Sequence, residues 1–165
     1  MRKIGEYLNQ TLCGLEELRG AGVIHRDIKP DNLMITDDDL IKIIDLGLCT
    51  IQGKEKMTIP GMQVGSPFYA APEQEDDPEQ ADERADLYSV GIIAYRLFTG
   101  RLANQRQKSI PPPSRDTAEF NREWDEFLLK SICTKSRDRY QSAKEMRLQL
   151  RSICRPYSLG SAGPP

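Results

Sequence analysis

Residues 23–33 read VIHRDIKPDNL and residues 42–48 read KIIDLGL. Together they set an aspartate at 27, a lysine at 29, an asparagine at 32 and a second aspartate at 45. Which chemistry uses all four, and what holds them together, is read from the segments on either side.

The runs NLMI (32–35) and LIKII (40–44) are short and apolar, and TDDD (36–39) separates them. A polar cluster between two such runs predicts a tight connection between paired strands. Asp37 to Asp39 are read as a solvated turn rather than a cation site.

Upstream, Ile4, Tyr7, Leu8, Leu12, Leu15 and Leu18 recur at intervals of three and four, which predicts an amphipathic helix over 4–18. Arg19 with Gly20 and Gly22 marks its end, the cation lying at the favourable pole of the dipole.

Downstream, residues 47–70 are rich in Gly, Pro, Thr and Ser and show little periodicity. Loops of that length are usually functional or disordered. ADLYSVGIIAYRLFTG (85–100) is apolar around most of its circumference and predicts a helix buried on nearly all sides, closed by Thr99 and Gly100. RLANQRQKSIPPPSRD (101–116) reads as a proline-broken surface segment. Phe120, Trp124, Phe127, Leu128 and Ile132 take helical spacing, and SAKE (142–145) is a candidate capping box for a last helix running through Cys154. The fold class is mainly α, a helical bundle with a small β-hairpin that carries the polar loops.

The chain of 165 residues is long enough for one compact domain with a sizeable core. With 38% hydrophobic and 29% charged residues it has the make-up of a globular protein. A net charge of −2, from 23 basic and 25 acidic side chains, gives no sign of a surface built for nucleic acid. The longest apolar run, VGIIAY, is far too short to span a bilayer, so no membrane insertion by this chain is expected. Cys13, Cys49, Cys133 and Cys154 have no zinc-ligand spacing and are expected to be reduced thiols of a cytoplasmic protein, most of them packed as small hydrophobes.

Phosphoryl transfer from ATP needs a carboxylate to accept the proton of the attacking hydroxyl, cations on the phosphates and oxygen ligands for Mg²⁺. Asp27 suits the base, Lys29 the cation on the transferred phosphate, and Asn32 with Asp45 the metal ligands.

These motifs resemble those of the eukaryotic-type serine/threonine protein kinases. His25-Arg26-Asp27, with Asn32 five residues beyond Asp27, matches H-R-D-x-x-x-x-N; Asp45-Leu46-Gly47 stands where the family has D-F-G; Ala71-Pro72-Glu73 matches A-P-E. The resemblance implies ATP and Mg²⁺ (or Mn²⁺) as cofactors, protein substrates bearing Ser or Thr, and nucleotide contacts from Lys29, Met34 and Asp45. Lys29 in DIKPDN and Ser66 in the substrate loop fit the serine/threonine class rather than the tyrosine class.

By the same resemblance, Asp86 holds the backbone of the catalytic loop and Arg139 pairs with Glu73. His25 packs under Leu46, linking the catalytic loop to the metal-binding loop at Asp45 to Gly47. Arg26 forms a cationic pocket for a phosphorylated activation segment, with Thr58 as the leading phosphosite and Thr50 the weaker one.

The resemblance extends from Ile4 to about Ile153 but covers only the family's C-terminal lobe: residues 1–154 read as that lobe and 155–165 as a disordered tail. No Gly-rich loop and no V-A-I-K lysine precede it in this sequence. The chain is therefore expected to be inactive alone, and to need an N-terminal lobe or another partner protein on the exposed face. A non-catalytic scaffold built on the same lobe is the alternative.

Overall fold

The computed structural model describes residues 2–47, 49–51, 68–78, 81–103, 109–115 and 120–158. Among them the chain forms helix α1 (Arg2–Gly20), strands β1 (Val23–Ile24), β2 (Leu33–Ile35), β3 (Ile41–Ile43) and β4 (Thr50–Ile51), then helices α2 (Pro72–Asp76), α3 (Glu83–Thr99), α4 (Arg122–Ser131) and α5 (Ala143–Ser158). Thr58 and Ser66 lie outside the described residues.

Helix α3 is the centre of the core. Every residue from Ala85 to Tyr95 is buried, as expected of a helix apolar on all sides. Asp82 caps its start, Oδ1 accepting from Arg84 N at 2.9 Å. Gly100 ends it in the left-handed region (φ 69°), donating to the Arg96 carbonyl at 2.8 Å.

Around α3 pack α1 and α4, and α5 lies across both of them. Helix α1 buries Leu8, Leu12 and Leu15, the predicted apolar face. The α3–α4 approach is tight at Gly91, where a Cβ would stand 2.7 Å from Ser131 Oγ and 2.9 Å from Ile132 Cγ2. Asn121 caps α4 through Trp124 N, and Trp124, wholly buried, packs with the rings of Phe98, Phe120 and Phe127. Ring centroids in this cluster are 4.7 to 6.1 Å apart, the range in which tilted and edge-on pairs are favourable.

At the start of α5 the capping box is only half as expected. Ser142 Oγ accepts from Glu145 N at 3.1 Å, but the Glu145 carboxylate accepts from Gln141 N, one residue before the cap. The helix also runs past Cys154 to Ser158.

The expected hairpin is present: β2 and β3 pair antiparallel, with Leu33 opposite Ile43, Met34 opposite Lys42 and Ile35 opposite Ile41. Its acidic turn is more than a solvated loop. Asp39, at φ 60°, accepts from Tyr7 Oη at 2.7 Å and pairs with Lys3 at 2.9 Å, while its carbonyl accepts from Gln10 Nε2. The turn is thereby fastened to α1.

A second two-stranded sheet corrects the single-hairpin expectation. β1 pairs antiparallel with β4, Val23 opposite Ile51 and Ile24 opposite Thr50. Two residues per strand carry too little periodicity to be read from sequence. All four cysteines are free; Cys13 is exposed and the other three are partly buried.

Candidate active site

The polar loop hangs between β1 and β2, and its backbone is fixed from below by one carboxylate. Asp86, on the first turn of α3, accepts from His25 N (Oδ2, 2.9 Å) and from Arg26 N (Oδ1, 2.7 Å). Burial pushes its carboxyl up to about 6, against the pull of those two N–H groups and of the nearby Arg26 charge.

Arg26 takes φ 67°, a region costly for a non-glycine residue, of order 1–3 kcal/mol. Three bonds hold it there: its N–H on Asp86, its carbonyl accepting from Gln74 Nε2 at 2.7 Å, and Nη2 donating to the Ala81 carbonyl at 2.8 Å. The guanidinium is buried, which lowers its pKa, and Nε has no partner in the described structure. The head group is turned toward the chain before α3, and the activation segment expected to meet it, with Thr58, lies outside the described residues.

His25 is fully buried, and Asp27 N donates to its Nδ1 at 3.3 Å. That contact assigns the proton to Nε2, which faces the Ile44 carbonyl at 3.2 Å. The link to the second loop thus runs through Ile44. Leu46, expected above the ring, is 54% exposed.

Asp27 is buried and its Oδ2 accepts from two donors, Lys29 Nζ at 2.7 Å and Asn32 Nδ2 at 3.0 Å. Asn32 Nδ2 also donates to the Asp27 carbonyl at 2.8 Å. The short 3-10 turn Pro30–Asn32 brings this about: Pro30 fixes its entry and Asn32 N closes it on the Lys29 carbonyl. The Lys29 pKa is raised, chiefly by the bond to Asp27, with the charges of Asp27, Asp31 and Asp45 adding to it.

Asp45 follows from the hairpin register. Ile44 N donates to the Asn32 carbonyl at 2.9 Å, one step past the Leu33–Ile43 pair, so the residue after it emerges beside the polar loop. Asp45 is exposed at φ 63°, and its Oδ1 accepts from Gly47 N at 3.1 Å. Burial pushes the Cys49 thiol up to about 11.

No group of three or more His, Cys, Asp or Glu capable of holding a metal occurs among the described residues. Magnesium does not require one, since it keeps several waters and is held by one or two carboxylates together with substrate phosphates. Asn32 commits its amide nitrogen to Asp27, which leaves its amide oxygen free to serve a metal, and Asp45 presents an exposed carboxylate nearby.

Helix α2 is braced by a bidentate pair. Arg139, wholly buried, donates to both carboxylate oxygens of Glu73 at 2.6 and 2.7 Å and to the carbonyls of Arg84, Cys133 and Thr134. Its guanidinium also lies 4.7 Å from the Tyr88 ring centroid. Met34, on the outer face of β2, is 44% exposed. Gln74 and Ala81, which hold Arg26, carry no sequence signal: one is a polar residue in a five-residue helix, the other acts through its backbone.

The protein kinase domain family model matches residues 1–154. "Serine/threonine-protein kinase pkn3" of Myxococcus xanthus is 31% identical over 172 residues, covering 92% of this chain and 31% of its own. Serine/threonine-protein kinase PknL of Mycobacterium tuberculosis is 33% identical, with 92% of this chain and 41% of the relative covered. PknB of Mycolicibacterium smegmatis is 34% identical over 90% of this chain and 26% of its own. The chain thus spans between about a quarter and two fifths of the length of the curated relatives it matches.

Proposed function

The chain belongs to the protein kinase domain family, and from that premise we propose that it is the catalytic lobe of a serine/threonine kinase, transferring the γ-phosphate of ATP to Ser or Thr hydroxyls of proteins. The observation that carries this reading is Asp27, held by Lys29 and Asn32 on a backbone hung from Asp86. A carboxylate so fixed orients the attacking hydroxyl and takes its proton as the phosphorus–oxygen bond forms. Lys29, beside it, places its charge on the phosphoryl group in transit. Asn32 and Asp45 would hold Mg²⁺ or Mn²⁺, which when bound neutralises phosphate charge. Met34 would lie under the adenine, and Thr58 and Ser66 would serve the activation segment and substrate loop.

Activity is proposed to require an N-terminal lobe, since positioning of the phosphates supplies most of the catalysis in this chemistry and the Gly-rich loop and its lysine are not among these 165 residues. The outer face of the hairpin supports a protein on that side: Met34 is 44%, Ile44 39% and Leu46 54% exposed, around Lys42. A scaffold would use the same apolar face but has no need of the Asp27–Lys29–Asn32 arrangement. A cytoplasmic location fits the four free thiols.

Calorimetry with Mg-ATP tests this reading. Negligible heat is expected from the chain alone, and binding is expected once an N-terminal lobe fragment of a related kinase is added, lost again in Asp45→Asn. Micromolar affinity in the chain alone, or unchanged affinity in Asp45→Asn, would contradict it.

A further inference from the structure

Arg96 lies in the last turn of α3, exposed, and donates through Nη1 to the phenol oxygen of Tyr69. Tyr69 is buried, and its carbonyl accepts from Ser89 Oγ at 2.8 Å. These two bonds fasten residues 68–71 to α3 immediately before Pro72 and Glu73, in the strip read above as the substrate loop. Phe68, next to Tyr69, is 68% exposed, an unusual position for a ring with no core role. Among the described residues no carboxylate pairs with Arg96, and a guanidinium presents five donors, of which one goes to Tyr69.

We propose that Arg96 is a specificity-determining residue, which selects substrates carrying an acidic side chain close to the acceptor hydroxyl while Phe68 offers an apolar contact beside it. The inference rests on the kinase reading for the identity of the strip. Glu75 and Asp76 on α2 are exposed and of opposite sign, but Arg96 is the cation bonded to the strip itself. An exposed ion pair is worth about a threefold change in affinity.

Fluorescent serine peptides with Glu or Lys at each flanking position, titrated into the 165-residue chain without nucleotide and followed by anisotropy, provide the test. The Glu peptides are expected to bind about threefold more tightly at one or more positions. Arg96→Gln, which retains a donor for Tyr69 but not the charge, should abolish the preference, and Arg96→Glu should reverse it. Equal binding of the two peptides, a preference for Lys, no binding of either, or a preference that survives in Arg96→Gln would overturn the proposal. Should Arg96→Glu fail to fold, the Gln variant decides. Charge preference in the chain, with no phosphotransfer even after an N-terminal lobe fragment is added, would count against the kinase reading alone; phosphotransfer in that mixture without charge preference would count against Arg96 alone.

Discussion

At Asp86 two effects oppose each other. Burial raises the carboxyl to about 6, above the ordinary value of 3.8, while the N–H groups of His25 and Arg26 favour the ionised form. Because the folded pKa is the higher one, the stability due to protonation of this group is fully present below about pH 4 and is lost as the pH rises through about 6. Urea denaturation should therefore show the native chain losing stability relative to Asp86→Asn between those values. A flat difference would mean that the carboxyl titrates alike in both states. At neutral pH the variant should still be the less stable, by about 1–3 kcal/mol, because an amide oxygen serves one of the two N–H groups and its NH₂ opposes the other. The positive φ of Arg26 and Asp45 belongs to the same scale: neither is glycine, and each is held by bonds on both sides of the strained residue or from its own side chain.

Among the elements, the short helix α2 depends on a residue more than sixty positions away. Arg139 joins it to α3 and to the chain between α4 and α5 through five donated bonds, a set that only a planar guanidinium satisfies. Arg139→Lys should cost about 3 kcal/mol, the scale of a buried pair left incomplete, and should shift the urea midpoint accordingly. A loss below about 1 kcal/mol would show that the pair is as weak as an exposed one. The long elements were legible because their signal is local. Leu8, Leu12 and Leu15 on α1 and the continuous burial of α3 follow from periodicity alone. What escaped rests on backbone or on distant partners. Strands β1 and β4 have two residues each, α2 has five, and Asp39 acts on α1 through a turn that composition reads only as polar.

Over the whole molecule, the four side chains that opened the sequence reading come from two loops and are brought together by one register. The Asn32 carbonyl, one residue before β2, accepts Ile44 N, and Asp45 follows near enough to act on the charge of Lys29. Motif spacing singled out those four residues, and the family resemblance pointed to Asp86. It gave no indication that His25 would reach the Ile44 carbonyl, or that Arg26 would turn inward to Ala81, because both depend on how loops pack after the helices are set. On the proposed reading, activity needs the parts that clamp the nucleotide. The most direct measurement is transfer of labelled phosphate from Mg-ATP to a generic Ser/Thr protein, by the chain alone and with an N-terminal lobe fragment, beside Asp27→Asn. Silence from the chain alone, transfer with the fragment, and a loss of at least about 10²-fold in Asp27→Asn are predicted. Equal transfer by Asp27→Asn, or silence in every mixture, would contradict the assignment of Asp27 as the base.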